Sequence, residues 1–431
     1  MSAITGTFRP ERRIIAAATF QTQGVHMAAR RVSGLTHVMR GTALVLALEM
    51  LWRNWAGNLH GSWVDSDVYA MGGEIVRHGG DLYSAATAEF LPFTYSPFAA
   101  VLFVPFSMLQ ADVARVLFTL VSLFSYALVV ATVSRRLRMS WWQVTLLAVI
   151  GLAFEPMLRN VQLGQVNIVL MALVVTDWLL LPTRYRGYLT GIAAGIKITP
   201  AAFLVLAVIR RDWAVAARGG VGLVGSVVIG WLAAPAATRT FWGGGFMGLE
   251  KFGSSEVLAA DNQSLLGAWM RLTGTIVPSQ TTQFVALLIG MSLGVTAAYV
   301  ELRRARPGSD VAAVSWVALG SLLGSPVSWS HHWIWLVVAL GVLLARARYV
   351  GFALTALISW YPTIWINPPG DYRELMLNAP QRILSCAYVI VGIALLLSSF
   401  RRPSSRTLED SELAVADPDA IEARIPSSVH G

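Results

Sequence analysis

Cysteine occurs once in the 431 residues, at Cys386, which excludes a disulfide framework and any cysteine-based metal site. Charge is scarce too. Asp, Glu, Lys and Arg make up 13% of the chain, against roughly 25% in a soluble domain, so a cytosolic globule is excluded. Lysine is confined to Lys197 and Lys251, leaving arginine as nearly the whole basic complement. The alternating apolar-polar pattern of a transmembrane barrel is missing, as is the internal repeat that marks many transporters. The first 37 residues lack a compact apolar core followed by a small-residue cleavage site. They are polar and basic, with Arg12, Arg13, Arg30 and Arg31, and read as a cytoplasmic arm rather than a signal peptide.

What the chain has is hydrophobic residues, 55% of the total, in runs long enough to cross a bilayer core of roughly 30 Å. The predicted fold is an all-α polytopic membrane protein of about twelve transmembrane helices. They fall at 38–57, 97–111, 114–134, 141–156, 162–181, 187–209, 213–234, 281–302, 311–325, 332–348, 350–366 and 380–400. Residues 38–400 then form one transmembrane domain, and 401–431, rich in Ser, Asp and Glu, a disordered cytoplasmic tail. The net charge of +9 sits in small arginine groups between apolar runs, which points to topology and not to nucleic acid. With the N-terminus inside, twelve spans put Arg210/Arg211, Arg303/Arg304/Arg306, Arg346/Arg348 and Arg401/Arg402 in the cytoplasm. The same count puts Arg135/Arg136/Arg138 and Arg184/Arg186 outside, against the positive-inside rule. The loops at 58–96, 235–280 and 325–332 face outward together.

Those loops hold most of the polar residues suited to chemistry. Asp65 and Asp67 follow the first span in Val64-Asp65-Ser66-Asp67-Val68-Tyr69. A carboxylate there suits a general base at a membrane surface, and equally a helix N-cap. Gln165 and Asn167 open an apolar helix, where amides bind a ligand or a neighbouring helix. Lys197, in Gly195-Ile196-Lys197-Ile198-Thr199-Pro200, lies inside an apolar run. An ammonium in that setting calls for an anionic partner, a phosphate or a carboxylate. Asn262 and Gln263 suit sugar hydroxyls or a solvated loop. His331 and His332, flanked by tryptophans, suit a phosphate or sugar first, an interfacial belt second and a metal third.

In order along residues 60–335 stand Val-Asp-x-x-Val-Tyr, Gly-Asp-Leu-Tyr, Tyr-Ser-Pro-Phe, Gly-Gln-Val-Asn, Lys-x-x-Pro, Asn-Gln-Ser-Leu and Ser-Pro-Val-Ser-Trp-Ser-His-His. Together they resemble the GT-C glycosyltransferases of family 87, in particular the actinobacterial polyprenol-phosphate-mannose-dependent α-1,2-mannosyltransferases. The resemblance implies a polyprenyl-phosphate mannose donor, a mannosylated phosphatidylinositol glycolipid acceptor, and reaction on the extracytoplasmic side of the plasma membrane. It implies Asp65 as the general base, with Asp67 as the alternative. Lys197, His331 and His332 are then expected at the donor phosphate, and Asp67, Tyr69, Gln165, Asn167, Asn262 and Gln263 at the substrates. Neither a metal nor a cofactor is expected. Arabinofuranosyl transfer from a polyprenyl donor, and lipid or solute transport, are the competing readings.

Overall fold

The computed structural model describes residues 37, 39–53, 61–245, 253–360, 363–365 and 370–400, and nearly all of the expected arm and the whole tail lie outside them. Among the described residues the fold is all-α, with two isolated bridges and no strand. The helices in chain order are α1 (39–53), α2 (Val64–His78), α3 (Pro97–Ser107), α4 (Ala111–Arg136), α5 (Trp141–Leu152), α6 (Glu155–Leu163), α7 (Asn167–Val175), α8 (Tyr188–Ile196), α9 (Val205–Arg210) and α10 (Trp213–Ala233). After these come the short α11 (Pro235–Thr240) and α12 (Ser254–Leu258), then α13 (Leu265–Thr273), α14 (Gln280–Arg304), α15 (Ser309–Gly324), α16 (Leu336–Ala345), α17 (Tyr349–Trp360), α18 (Ala379–Leu384) and α19 (Ala387–Phe400).

Among the described residues three helices, α4, α10 and α14, are long and apolar enough to cross a membrane unaided, and α5 and α6, bent by 54° at their junction, are so when taken together. The other apolar helices are shorter, 10–17 residues. The outward faces of α10 and α14 expose Val221, Val224, Val228 and Leu232, and Phe284 and Leu288, as helices bordered by lipid do. Their inner faces are closed by glycine. A Cβ on Gly294 of α14 would lie 2.7 Å from the Gly320 Cα of α15, so the two backbones touch in the small-residue manner of membrane helix pairs.

Two predicted spans take a different form. α3 has 11 residues, about 16 Å of helix. It starts where the Ser96 hydroxyl accepts from Ala99 N–H, with Pro97 in the first turn. It packs on α2, close enough that a Cβ on Gly73 would meet the Phe103 carbonyl at 2.6 Å. The run 187–209 is broken at Lys197, which is extended (φ −141°, ψ 129°), with a 3-10 segment Thr199–Leu204 following. α8 is thus nine residues, about 13 Å, well short of a membrane. Its N-terminus is anchored by buried Asp177, whose Oδ2 accepts from Gly187 N–H (2.9 Å) and the Thr190 hydroxyl (2.6 Å).

The arginine groups share one face. Arg136 pairs with Asp310 at 2.7 Å, and the charges of both act on Arg186 and Arg210. Arg218 donates to the Arg186 and Thr183 carbonyls, Arg346 pairs with Glu301, and Arg304 caps the end of α19 at Phe400. An ion pair cannot join opposite sides of a bilayer, so the separation of Arg135/Arg136/Arg138 and Arg184/Arg186 from Arg303/Arg304/Arg306 predicted from twelve spans is corrected.

Candidate active site

Opposite the arginine face, the loops meet. Trp63, left-handed at φ 55°, turns the chain into α2 and puts Asp65 and Asp67 in its first turn, where carboxylates suit the positive helix end. The turn between α6 and α7 passes directly beneath. Gly164 is left-handed (φ 69°), and a Cβ there would lie 2.8 Å from the Ser66 Cβ, so glycine answers both demands. That turn delivers Gln165. Its Oε1 accepts from Tyr69 (3.1 Å), Tyr95 (3.3 Å) and Asn167 Nδ2 (3.2 Å). With the carbonyl thus occupied, the amide N–H groups serve the Asp65 carboxylate. The Tyr69 and Tyr95 hydroxyl oxygens lie 3.0 Å apart, and the charge of Asp65 acts on both.

Lys197 enters from the break after α8. Its Nζ donates to Asn167 Oδ1 (3.2 Å), reaches His332 Nε2 (3.1 Å) and lies over the Tyr95 ring at 5.3 Å. For an ammonium donor, His332 Nε2 is the acceptor, which puts the imidazole proton on Nδ1. A cavity of about 40 Å³ opens here, bordered by Lys197, His332, Asn167, Ser325 and Ser328. His331 packs edge-on against His332 at 4.6 Å, and its backbone carbonyl accepts from Asn160 Nδ2 at 2.6 Å. Among the described residues no third His, Cys, Asp or Glu joins the histidines as a ligand group.

Asp65 therefore sits in one polar network with Lys197, through Gln165 and Asn167. Burial pushes its carboxyl above the usual carboxylate range, against the lowering influence of the Gln165 hydrogen bond and the charges of Lys197 and Arg159. In its ionised form such an acid is a better proton acceptor than an exposed one. Asp67 points elsewhere, to Arg115 on α4 at 3.2 Å.

Asn262 and Gln263, expected at the substrates, are fully buried and spent on the fold. Asn262 donates to the Val257 and Pro326 carbonyls and accepts from Ser328 N–H (2.8 Å). Gln263 donates to the Ala260 and Ser385 carbonyls and accepts from Tyr388 N–H. They fasten the second outer loop to the third and to α19. Asn262→Ala is expected to lower stability by about 1–3 kcal/mol for each polar group it strands, with substrate KM values unchanged in the folded fraction. A thermal melt alongside kinetics checks this.

Sequence reasoning passed over Glu155 and Arg159, four residues apart on α6. Both lie near the site, and the signal was available, because two ionisable residues in an apolar stretch mark function by default.

Residues 93–326, more than half of the chain, match the profile of glycosyltransferase family 87. The chain is 34% identical over 365 residues, 78% of it and 83% of the relative, to a Mycobacterium tuberculosis polyprenol-phosphate-mannose-dependent alpha-(1-2)-phosphatidylinositol mannoside mannosyltransferase. It is 30% identical over 375 residues, 80% of it and 85% of the relative, to the Mycolicibacterium smegmatis protein of the same name. A pentamannoside mannosyltransferase of Mycolicibacterium smegmatis matches at 30% over 334 residues, covering 70% and 78%. The chain belongs to glycosyltransferase family 87.

Proposed function

We propose that this protein transfers mannose from polyprenyl-phosphate mannose to a mannosylated phosphatidylinositol, forming an α-(1→2) linkage with inversion. The observation that carries the reading is the single network joining an acid of raised pKa, Asp65, to an ammonium, Lys197, through Gln165 and Asn167. The names of the relatives support the donor and acceptor classes. Asp65 takes the proton of the acceptor 2-hydroxyl as that oxygen bonds to the anomeric carbon. The bond from that carbon to the phosphate oxygen breaks, and its electron pair leaves with the lipid phosphate. Lys197, aligned by Asn167 and His332, meets the growing negative charge. Attack from the face opposite the phosphate turns a β-linked donor into an α-mannoside. Tyr69, Gln165 and Asn167 act by holding Asp65 and Lys197 in place. Arabinofuranosyl transfer is tested by the same assay: purified enzyme offered polyprenyl-phosphate mannose and polyprenyl-phosphate arabinofuranose is expected to consume the first, and preference for the second overturns the reading.

The membrane arrangement belongs to the same proposal. If α3 stays on the outer surface and the 188–210 segment turns back at Lys197, two of the twelve crossings are lost. Every arginine group then falls in the cytoplasm and the site faces outward at the plasma membrane. Single cysteines introduced at Ser140 and Arg184 in a Cys386→Ala background are expected to resist an impermeant thiol reagent in intact cells and to react after lysis. Labelling of either in intact cells contradicts this arrangement.

A further inference from the structure

Beside Asp65 stands a second group of side chains that the mechanism above leaves unused. Arg159 lays its guanidinium over the Trp365 ring at 5.3 Å. Trp365 Nε1 donates to Glu155 at 3.1 Å, and the Ser330 hydroxyl (2.7 Å) and Tyr388 hydroxyl (2.8 Å) complete the partners of that buried carboxylate. Glu155 is therefore occupied in holding Trp365, under the Arg159 guanidinium, to the third outer loop and to α19. Among the buried atoms near this unit that find no hydrogen-bond partner among the described residues are Arg159 Nε, Asp261 Oδ1 and His331 Nε2. Buried polar atoms are nearly always paired, so each one of these calls for an explanation. Asp261 precedes Asn262, which bridges to Trp329 in the third outer loop, and the His331 carbonyl of that loop accepts from Asn160, next to Arg159. The Trp63 N–H beside the base donates to the Gln162 carbonyl at the end of the same helix, so these atoms gather where α6, the third outer loop and the start of α2 meet.

The chemistry of the set selects its ligand. A bare phosphate would meet the Asp261 carboxylate, and a bare cation the Arg159 guanidinium. A sugar ring brings hydroxyls that both donate and accept, and an apolar face suited to an indole. We propose that Arg159, Asp261 and Trp365 form the subsite for the acceptor's terminal mannosyl ring, presenting its 2-hydroxyl to Asp65 and distinct from the Lys197–His332 pair at the donor phosphate. This rests on the mannosyl-transfer reading for the identity of the ring, but its test does not need turnover.

Saturation-transfer NMR on the purified full-length protein, with methyl α-mannopyranoside as probe, is expected to show ring-proton signals for wild type and for Lys197→Met. Asp261→Asn and Arg159→Met are each expected to lose them while remaining monodisperse. In kinetics the same two variants are expected to raise the acceptor KM about tenfold or more, the scale of one lost buried hydrogen bond, with the donor KM unchanged. Glycoside signals that persist in both variants, or a rise in donor KM instead, overturn the subsite. If wild type binds the glycoside as expected yet transfers no mannose from the lipid donor, the functional reading fails and the subsite stands. Transfer that proceeds with no glycoside signal in wild type sinks the subsite alone.

Discussion

Asp65→Asn is expected to lower turnover by at least two orders of magnitude, the usual scale for loss of a general base, and to leave folding and donor binding intact. The amide keeps the shape of the carboxylate and can still bond to Gln165, so what is lost is the capacity to accept a proton. In the wild type, activity is expected to fall as pH falls through the Asp65 pKa, because only the ionised form is the base. Burial sets that limb above the ordinary carboxylate range. Asp67 has its own partner in Arg115, a half-exposed pair of the kind worth about 0.2–1 kcal/mol, and its substitution by Asn is expected to have a small effect. A dead Asp67→Asn with an active Asp65→Asn would exchange the two roles.

Lys197→Met is expected to reduce kcat/KM for the donor by about 10²-fold, the loss seen when one preorganised partner of a developing anion is removed. The acceptor KM is expected to hold. A second consequence has a defined sign. The Lys197 charge lowers the Asp65 pKa, so its removal lets that pKa rise, and the acid limb of the pH profile is expected to move to higher pH in the variant. Unchanged donor kinetics together with an unmoved limb would detach Lys197 from both phosphate and base.

Asp65 and Lys197 were the most legible of the proposed site residues, since a lysine in an apolar run is costly to place and both stand out against 13% charge. Gln165 and Asn167 were visible as the polar opening of an apolar helix, but the turn at Gly164 that separates α6 from α7 was not. Span counting was less reliable for a physical reason. α3 packs its apolar side chains against α2, and 11 residues made apolar by helix packing have the composition of a short span. The run 187–209 is apolar on both limbs of its break, and hydropathy has no sign for direction, so a chain that turns at Lys197 reads like one that continues. Pro200 was the only local hint. Asn262 and Gln263 show the converse limit: composition reveals that amides are present but not that Ser328, Ser385 and Tyr388, far along the chain, take up their hydrogen bonds. Glu155 was hidden at the end of the predicted span 141–156 and Arg159 in the short gap before the next, because the bend at Phe154 that makes both part of one helix was not foreseen.

The most direct measurement of the central claim is the stereochemistry of the product made by purified enzyme in detergent, with no membrane gradient. Supplied with β-linked polyprenyl-phosphate mannose and a phosphatidylinositol mannoside, the wild type is expected to yield a glycolipid with one added mannose. NMR should show the new linkage as α, at the 2-hydroxyl, and the Asp65→Asn protein should make none of it. A β-linked product, attachment at another hydroxyl, or undiminished synthesis by Asp65→Asn would contradict single-step inversion by an Asp65 base.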